Sequence, residues 1–200
     1  MHTTEISKLH IINYPHPTLR HKSKPIRRVD AELKKVVRQM FELMYEANGV
    51  GLAANQVDLP LRLFVVNLEA DPEKGDELVF INPVLSMAKG SEEAEEGCLS
   101  LPGLYGQVTR PERIKVTSYS INGEEFVAEL DGLFARVVQH ETDHLDGVLF
   151  TDRMSETGRI QVQPEVEKFE REFAYDREHG RIPSDEQIVK RLSEQEEKYC

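Results

Sequence analysis

Apolar residues recur at helical spacing early in the chain, with Leu33, Val36, Val37, Met40, Phe41, Met44 and Ala47 falling on one face. Asp30 stands where a carboxylate caps the first free amides, and Asn48-Gly49 supplies a stop that tolerates left-handed backbone, so the pattern predicts an amphipathic helix over 30–48. The texture then changes. The runs 61–68, 77–83, 113–120 and 124–130 are rich in β-branched and aromatic residues and predict strands, the last two joined at Asn122-Gly123 by a type I′ hairpin turn. Helical spacing returns at Leu133, Phe134, Val137 and Val138 and predicts a helix from about 131 to 146, stopped by Gly147. Strands followed by a helix in a short chain predict an α+β fold, with antiparallel β-sheets packed around this central helix. Beyond Ser155 the pattern is that of charged helix. Pro164 is expected to open one helix, with Val166, Phe169 and Phe173 on one face and His179-Gly180 at its end. Ser184 and Gln187 form a capping box for a second helix. The expected organisation is a catalytic domain over 1–154 and a helical C-terminal tail over 155–200.

Composition narrows the function classes. With 39% apolar residues, 200 residues suffice for a real core. No apolar run is long enough to span a membrane, and the opening MHTTEISKLHIINYP has no apolar stretch typical of a secretory leader, so a cytoplasmic protein is expected. Two cysteines, Cys98 and Cys200, fit a reducing compartment. The formal net charge of −11 opposes nonspecific binding to nucleic acid. A basic cluster at Lys22, Lys24, Arg27 and Arg28 around Pro25 is expected to be a solvated loop. The tail holds 12 acidic and 8 basic residues, a balance of −4.

The strongest chemical signal is His140-Glu141-Thr142-Asp143-His144, an HExxH string inside the second predicted helix. Imidazoles four residues apart lie on one helical face, so both reach a single metal ion while the Glu stands beside it. The string also suits a buried helix with two hydrogen-bonded core histidines, and the rest of the chain must discriminate. A catalytic metal site needs a third protein ligand and an open fourth position. The segment after His144, LDGVLFTDRM, offers neither a third His at metalloprotease spacing nor an obvious helical Glu. Cys98, within EEGCLSLPG in a turn-like segment, is the alternative donor, although a lone internal cysteine is also an ordinary core residue. GVGLAANQ (49–56) has glycines and alanines that permit close backbone approach; read alone, it fits a helix end and tight bend equally well. It lacks the Lys-Ser/Thr ending of a phosphate loop.

Taken together, GVGLAANQ (49–56), EGCLS (96–100) and QHETDH (139–144) resemble, in order, the three signature motifs of the peptide deformylase family. YPHPTLR (14–20) and KP (24–25) resemble the family's opening, and the resemblance spans roughly 8–154. It implies that Cys98, His140 and His144 bind one divalent metal, with Fe(II) as the usual ion and zinc, nickel or cobalt as substitutes. It implies that Glu141 is the general base and acid, and that Gln56 and the backbone N–H of Leu99 form the oxyanion hole. Thr142, at a position often apolar in relatives, is a tolerated departure.

The expected substrates are N-formyl-methionyl nascent peptides, with the ribosome as a possible partner. The peptide is expected to lie as an added strand along the segments of Gly51 and Gly97. Leu133 and Val137 are the candidates for the methionine pocket, and Arg136 is expected to face solvent or an acidic partner. The acidic tail is expected to pack on its own domain or a second subunit. Two other readings remain open at this point, a metalloprotease and a noncatalytic ribosome-associated binding module on the same fold.

Overall fold

The computed structural model describes residues 9–200, so the expectation for the opening segment concerns residues mostly outside it. The first helix, α1 (Ala31–Glu46), begins where Asp30 Oδ1 accepts from the amides of Glu32 and Leu33 at 3.0 and 2.9 Å. It buries Leu33, Val36, Val37, Met40, Phe41 and Met44. Asn48, at φ 55°, takes the left-handed position, and Gly49 N reaches back to Met44 O at 2.8 Å, so the stop expected from Asn48-Gly49 is a Schellman closure.

Seven strands follow: β1 (Gly51–Ala53), β2 (Leu63–Val66), β3 (Leu78–Lys89), β4 (Glu92–Cys98), β5 (Leu101–Arg110), β6 (Arg113–Tyr119) and β7 (Glu125–Asp131). A 3-10 turn, Ala54–Val57, separates β1 from β2. Five strands form one antiparallel sheet in the order β1-β2-β3-β6-β7, while β4 and β5 form a separate hairpin inserted between β3 and β6. Helix α2 (Gly132–Leu145) leads out of β7 and carries the HExxH string. It presses Ala135, Val138 and Leu145 onto Phe64, Val66, Phe80 and Val116 of the sheet. Helices α3 (Phe150–Arg153), α4 (Glu156–Glu178) and α5 (Asp185–Tyr199) complete the chain. The α+β architecture read from the sequence is therefore the observed one.

Four local expectations are corrected. The run at 77–83 continues as strand to Lys89 through two register shifts against β6, with Asn82 (φ 53°) and Met87 (φ 51°) within the irregular stretches. Asn82 spends its side chain on Ile26, accepting from its N–H and donating to its carbonyl, both at 2.8 Å. The hairpin at Asn122-Gly123 is not type I′, since Gly123 but not Asn122 has positive φ. Ser120 N bonds Glu124 O at 2.9 Å around a three-residue loop, the type I turn with a glycine bulge. The segment EEGCLSLPG, expected to be turn-like, is strand on both sides of Leu99-Ser100, as the end of β4 and the start of β5; Glu92-Glu93-Ala94-Glu95-Glu96 has too few apolar residues to read as a strand. Finally, α4 starts at Ser155, whose side chain accepts from Gly158 N, and Pro164 lies inside the helix. The hydrogen bond that Pro164 cannot make frees a carbonyl on a helix with no buried residue, where water can serve it.

Phe64 shows what holds α2 in place. Its ring is fully buried and stacked on Phe80 with centroids 4.8 Å apart. Phe64→Ala should cost about 3–5 kcal/mol in urea unfolding, and a loss below about 1 kcal/mol would contradict the packing described.

The tail lies on its own chain. Ile188, Leu192 and Tyr199 of α5 are buried, with Tyr199 joining the α1 core. Glu196 takes Lys24 Nζ at 2.6 Å and His21 Nε2 at 2.8 Å. The basic cluster is accordingly an exposed segment, with one of its lysines tied to α5.

Candidate active site

Three segments distant in sequence meet at one point. Cys98 ends β4, where the pairing with β5 slips, and places Sγ 3.3 Å from His144 Nε2. His140 and His144, one turn apart on α2, have ring centroids 5.0 Å apart, and the donor atoms of the three residues all lie within 4.8 Å of one another. The tetrad of motif residues is completed by Glu141, 4% exposed, beside this set. Gly51 shows how tightly β1 approaches: a Cβ there would stand 2.6 Å from Glu141 Oε1, so no other residue fits without displacing the carboxylate.

Gln56 lies in the turn after β1. Its Oε1 accepts from Ala53 N at 2.8 Å, which orients the amide so that Nε2 reaches Cys98 Sγ at 3.4 Å and Ser100 Oγ at 3.3 Å. Leu99 follows Cys98, and its side chain fills the space that a Cβ on Gly49 would need. Thr142 donates to Val138 O at 2.7 Å, so its hydroxyl is satisfied within its own helix. Gly49, Gln56, Cys98, Leu99, His140 and Glu141 line a cleft of about 810 Å3, and His144 is fully buried. Gly51, Gly97, Leu133 and Val137 line the same cleft; Val137 is buried and Leu133 is 58% exposed at the mouth.

The wall behind the histidines is ionic, and most of it escaped the sequence reading. Glu96 accepts from Arg110 Nε at 2.6 Å and Nη2 at 2.9 Å, from Arg136 Nη1 at 2.8 Å, and bonds His140 Nδ1 at 3.0 Å. Arg110, only 4% exposed, also donates to Asp143 at 2.7 Å, and Arg153 closes on Asp143 from the other side at 2.6 Å. Of the two expectations for Arg136, the acidic partner holds, and the solvent-facing one is corrected by its burial against Glu96 and Val108 O. A signal for Arg110 existed: acidic residues flank the ligand strings at Glu96 and Asp143, and buried acids require a buried base.

This wall sets the charge state of the site. Burial works against the Glu96 charge, but the bonds from His140 and Arg110 outweigh it and hold the carboxyl at about 2. Burial lowers His144 well below the usual imidazole range, leaving it neutral. Burial also opposes charge on His140, yet contact with Cys98 and Glu96 raises it to about 10. Burial pushes Glu141 up to about 7, against the pull of the His140 and Arg110 charges.

A sulfur and two imidazoles converging where the surroundings favour a cation fit a divalent metal. Glu96 on His140 Nδ1 directs the other ring nitrogen inward. Glu141 Oε2 and His144 Nδ1 are buried without a hydrogen-bond partner among the described residues, and a carboxylate oxygen so placed awaits a proton donor such as water.

Sequence and structure comparisons agree with this geometry. The family model described as polypeptide deformylase matches residues 8–160. The peptide deformylase of Rhodopirellula baltica is 47% identical over 191 residues, covering 96% of this chain and 95% of the relative. That of Neisseria gonorrhoeae is 45% identical over 160 residues, covering 80% and 95%. The crystal structure of a plant peptide deformylase superposes with a TM-score of 0.83 at 41% identity, over 90% of this chain and 96% of the other. With the three motif segments joined at one donor set and relatives matching along nearly their whole lengths, the chain belongs to the polypeptide deformylase family.

Proposed function

We infer that this chain removes the N-formyl group from the formyl-methionine that begins newly made polypeptides, releasing formate. The observation that carries the reading is the placement of Glu141 and the Gln56 amide around one Cys98, His140 and His144 donor set. A divalent ion in that set supplies positive charge and lowers the pKa of water toward neutrality, as amide hydrolysis at neutral pH requires. We propose Fe(II) as the native ion, with zinc, nickel and cobalt as substitutes compatible with one thiolate and two imidazoles.

In this reading Glu141 accepts a proton as water adds to the formyl carbon. Gln56 Nε2 and the Leu99 N–H donate to the carbonyl oxygen as it gains charge. Glu141 then gives its proton to the amine nitrogen, the C–N bond breaks, and formate leaves. The raised carboxyl of Glu141 suits a group that must hold a proton and release it within one turnover. Leu133 and Val137 are proposed to receive the methionine side chain, and the backbones at Gly51 and Gly97 to pair with an extended peptide.

Residues 1–154 are proposed as the catalytic domain and 155–200 as a helical extension. Among the described residues no helix is long and apolar enough to cross a membrane. A cytoplasmic location is proposed. The ribosome is proposed as the place where the substrate is met, without docking through the net acidic tail.

The test is formate release from a formyl-Met tripeptide by protein purified without oxygen and loaded with Fe(II). Gln56→Ala should lower kcat by about 10²–10³-fold, the usual loss for one oxyanion donor. A folded, metal-loaded wild type that releases no formate would replace this reading with the binding module, and cleavage of internal peptide bonds without formate would favour the metalloprotease. Loss of activity in air with the fold intact is expected if iron is native, because Cys98 and Fe(II) are both oxidisable.

A further inference from the structure

Gln56 is carried by a four-residue 3-10 turn, Ala54–Val57, too short to hold its own shape. Its exit residue, Asp58, sits at φ 63°, in the left-handed region, and is gripped by two side chains: Thr18 Oγ1 donates to it at 2.5 Å, and Arg191 of α5 pairs with its other oxygen. Asn55, fully buried, donates to His21 O at 2.8 Å and Thr18 O at 3.3 Å and accepts from Ser23 Oγ at 2.7 Å. Gln56 O accepts from Ile12 N at 2.8 Å. The turn is thus shaped by the segment 12–23. That segment is in turn held by α5, through Glu196 on His21 and on Lys24 just beyond it, and its Ser23 N is bonded to Leu145 O at the end of α2, 2.9 Å away.

We propose that α5 is a positioning element of the active site: Arg191 on Asp58, with Glu196 on His21 and Lys24, fixes the turn that aims the Gln56 amide at the donor set. The inference rests on the role given to Gln56 above. A helix serving only general stability would need its apolar contacts through Ile188, Leu192 and Tyr199. The ion pair on Asp58, two residues from Gln56, has a different reach, since it acts on the turn directly. Arg191 is therefore a positioning residue and touches no reacting atom.

The experiment compares wild type, Arg191→Ala, Arg191→Lys and Gln56→Ala in the full chain, below their melting temperatures and at matched metal content. Readouts are kcat and KM for a formyl-Met tripeptide and amide hydrogen exchange, resolved at Asp58 and Leu59, whose N–H groups bond back to Asn55 and Ala54 at 3.2 and 3.1 Å. For Arg191→Ala we expect exchange at these two amides to rise about tenfold or more with α2 unchanged. We expect kcat to fall about tenfold with KM within about twofold, and Arg191→Lys to recover most of the loss. Unchanged exchange at Asp58 and Leu59, or an intact kcat despite faster exchange, overturns the proposal. Faster exchange spread evenly over α2 and the sheet overturns it in favour of plain stabilisation. Full kcat in Gln56→Ala overturns the role of Gln56 itself, while exchange in Arg191→Ala still decides whether α5 holds the turn.

Discussion

Glu141→Ala is expected to lower kcat for formate release by about 10⁴-fold, the upper end of general acid–base effects, because one carboxyl handles the proton both at water addition and at amine departure. The loss should fall on kcat rather than KM, since Glu141 lines the cleft beside the donor set. Metal content should stay at one ion per chain, because the three donor atoms belong to other residues. Stability should hold or rise slightly: the substitution removes a buried carboxyl whose Oε2 has no protein partner. Glu141→Gln should be nearly as inactive, as it keeps the shape and loses the proton acceptor. A variant retaining more than about a hundredth of wild-type kcat would remove Glu141 from the proton path.

Arg110→Met should produce the largest loss of stability of any single change in the site, about 3–5 kcal/mol in denaturant unfolding. Arg110 gives two bonds to Glu96 and one to Asp143 and lies in the interior with them. Without it, Asp143 keeps Arg153, but Glu96 is left with Arg136 and His140 to balance a buried charge. The second effect is on the metal. Glu96 orients His140, so affinity for Zn2+ in a competitive chelator titration should fall by about 10–100-fold. Arg110→Lys should recover less than half of either loss, because an ammonium cannot reproduce the forked, planar contact with the Glu96 carboxylate. Equal stability of Arg110→Met and wild type would mean that Arg136 and His140 suffice for Glu96.

Where the sequence could be read, a local pattern coincided with a tertiary role. The stripe Leu33 to Met44 predicts α1 because the same spacing that makes one face of a helix also makes the core contact. His140 and His144 were legible because metal chemistry restricts residue type and spacing together and the helical period brings them to one face. Cys98 has no spacing that ties it to them and was assigned as a ligand only through the resemblance of EGCLS to a family motif. β4 was not legible, since its stability comes from partners elsewhere: pairing with β5, and Arg110 and Arg136 taking up Glu96. Arg110 itself sits between Thr109 and Pro111 with no periodic signal, and only the folded hairpin brings it under α2. Pro164 misled for the opposite reason. A local rule for helix starts was overridden by Ser155, a better cap nine residues earlier, on a helix exposed enough to bear a lost hydrogen bond.

The bond from Arg27 N to Tyr199 O, 2.8 Å, joins the early segment to the last turn of α5. Such closure across nearly the whole chain is the slow kind of folding event, because the loop entropy must be met before the contact forms. At synthesis rates of about 5–20 residues per second, α2 precedes the end of α5 by about 3–10 s. During that interval the α1 surface that Tyr199 covers stays open on a nascent chain. The core that Tyr199 completes is thus finished only after α5 has been made, and until then its apolar surface is open to contact with other chains.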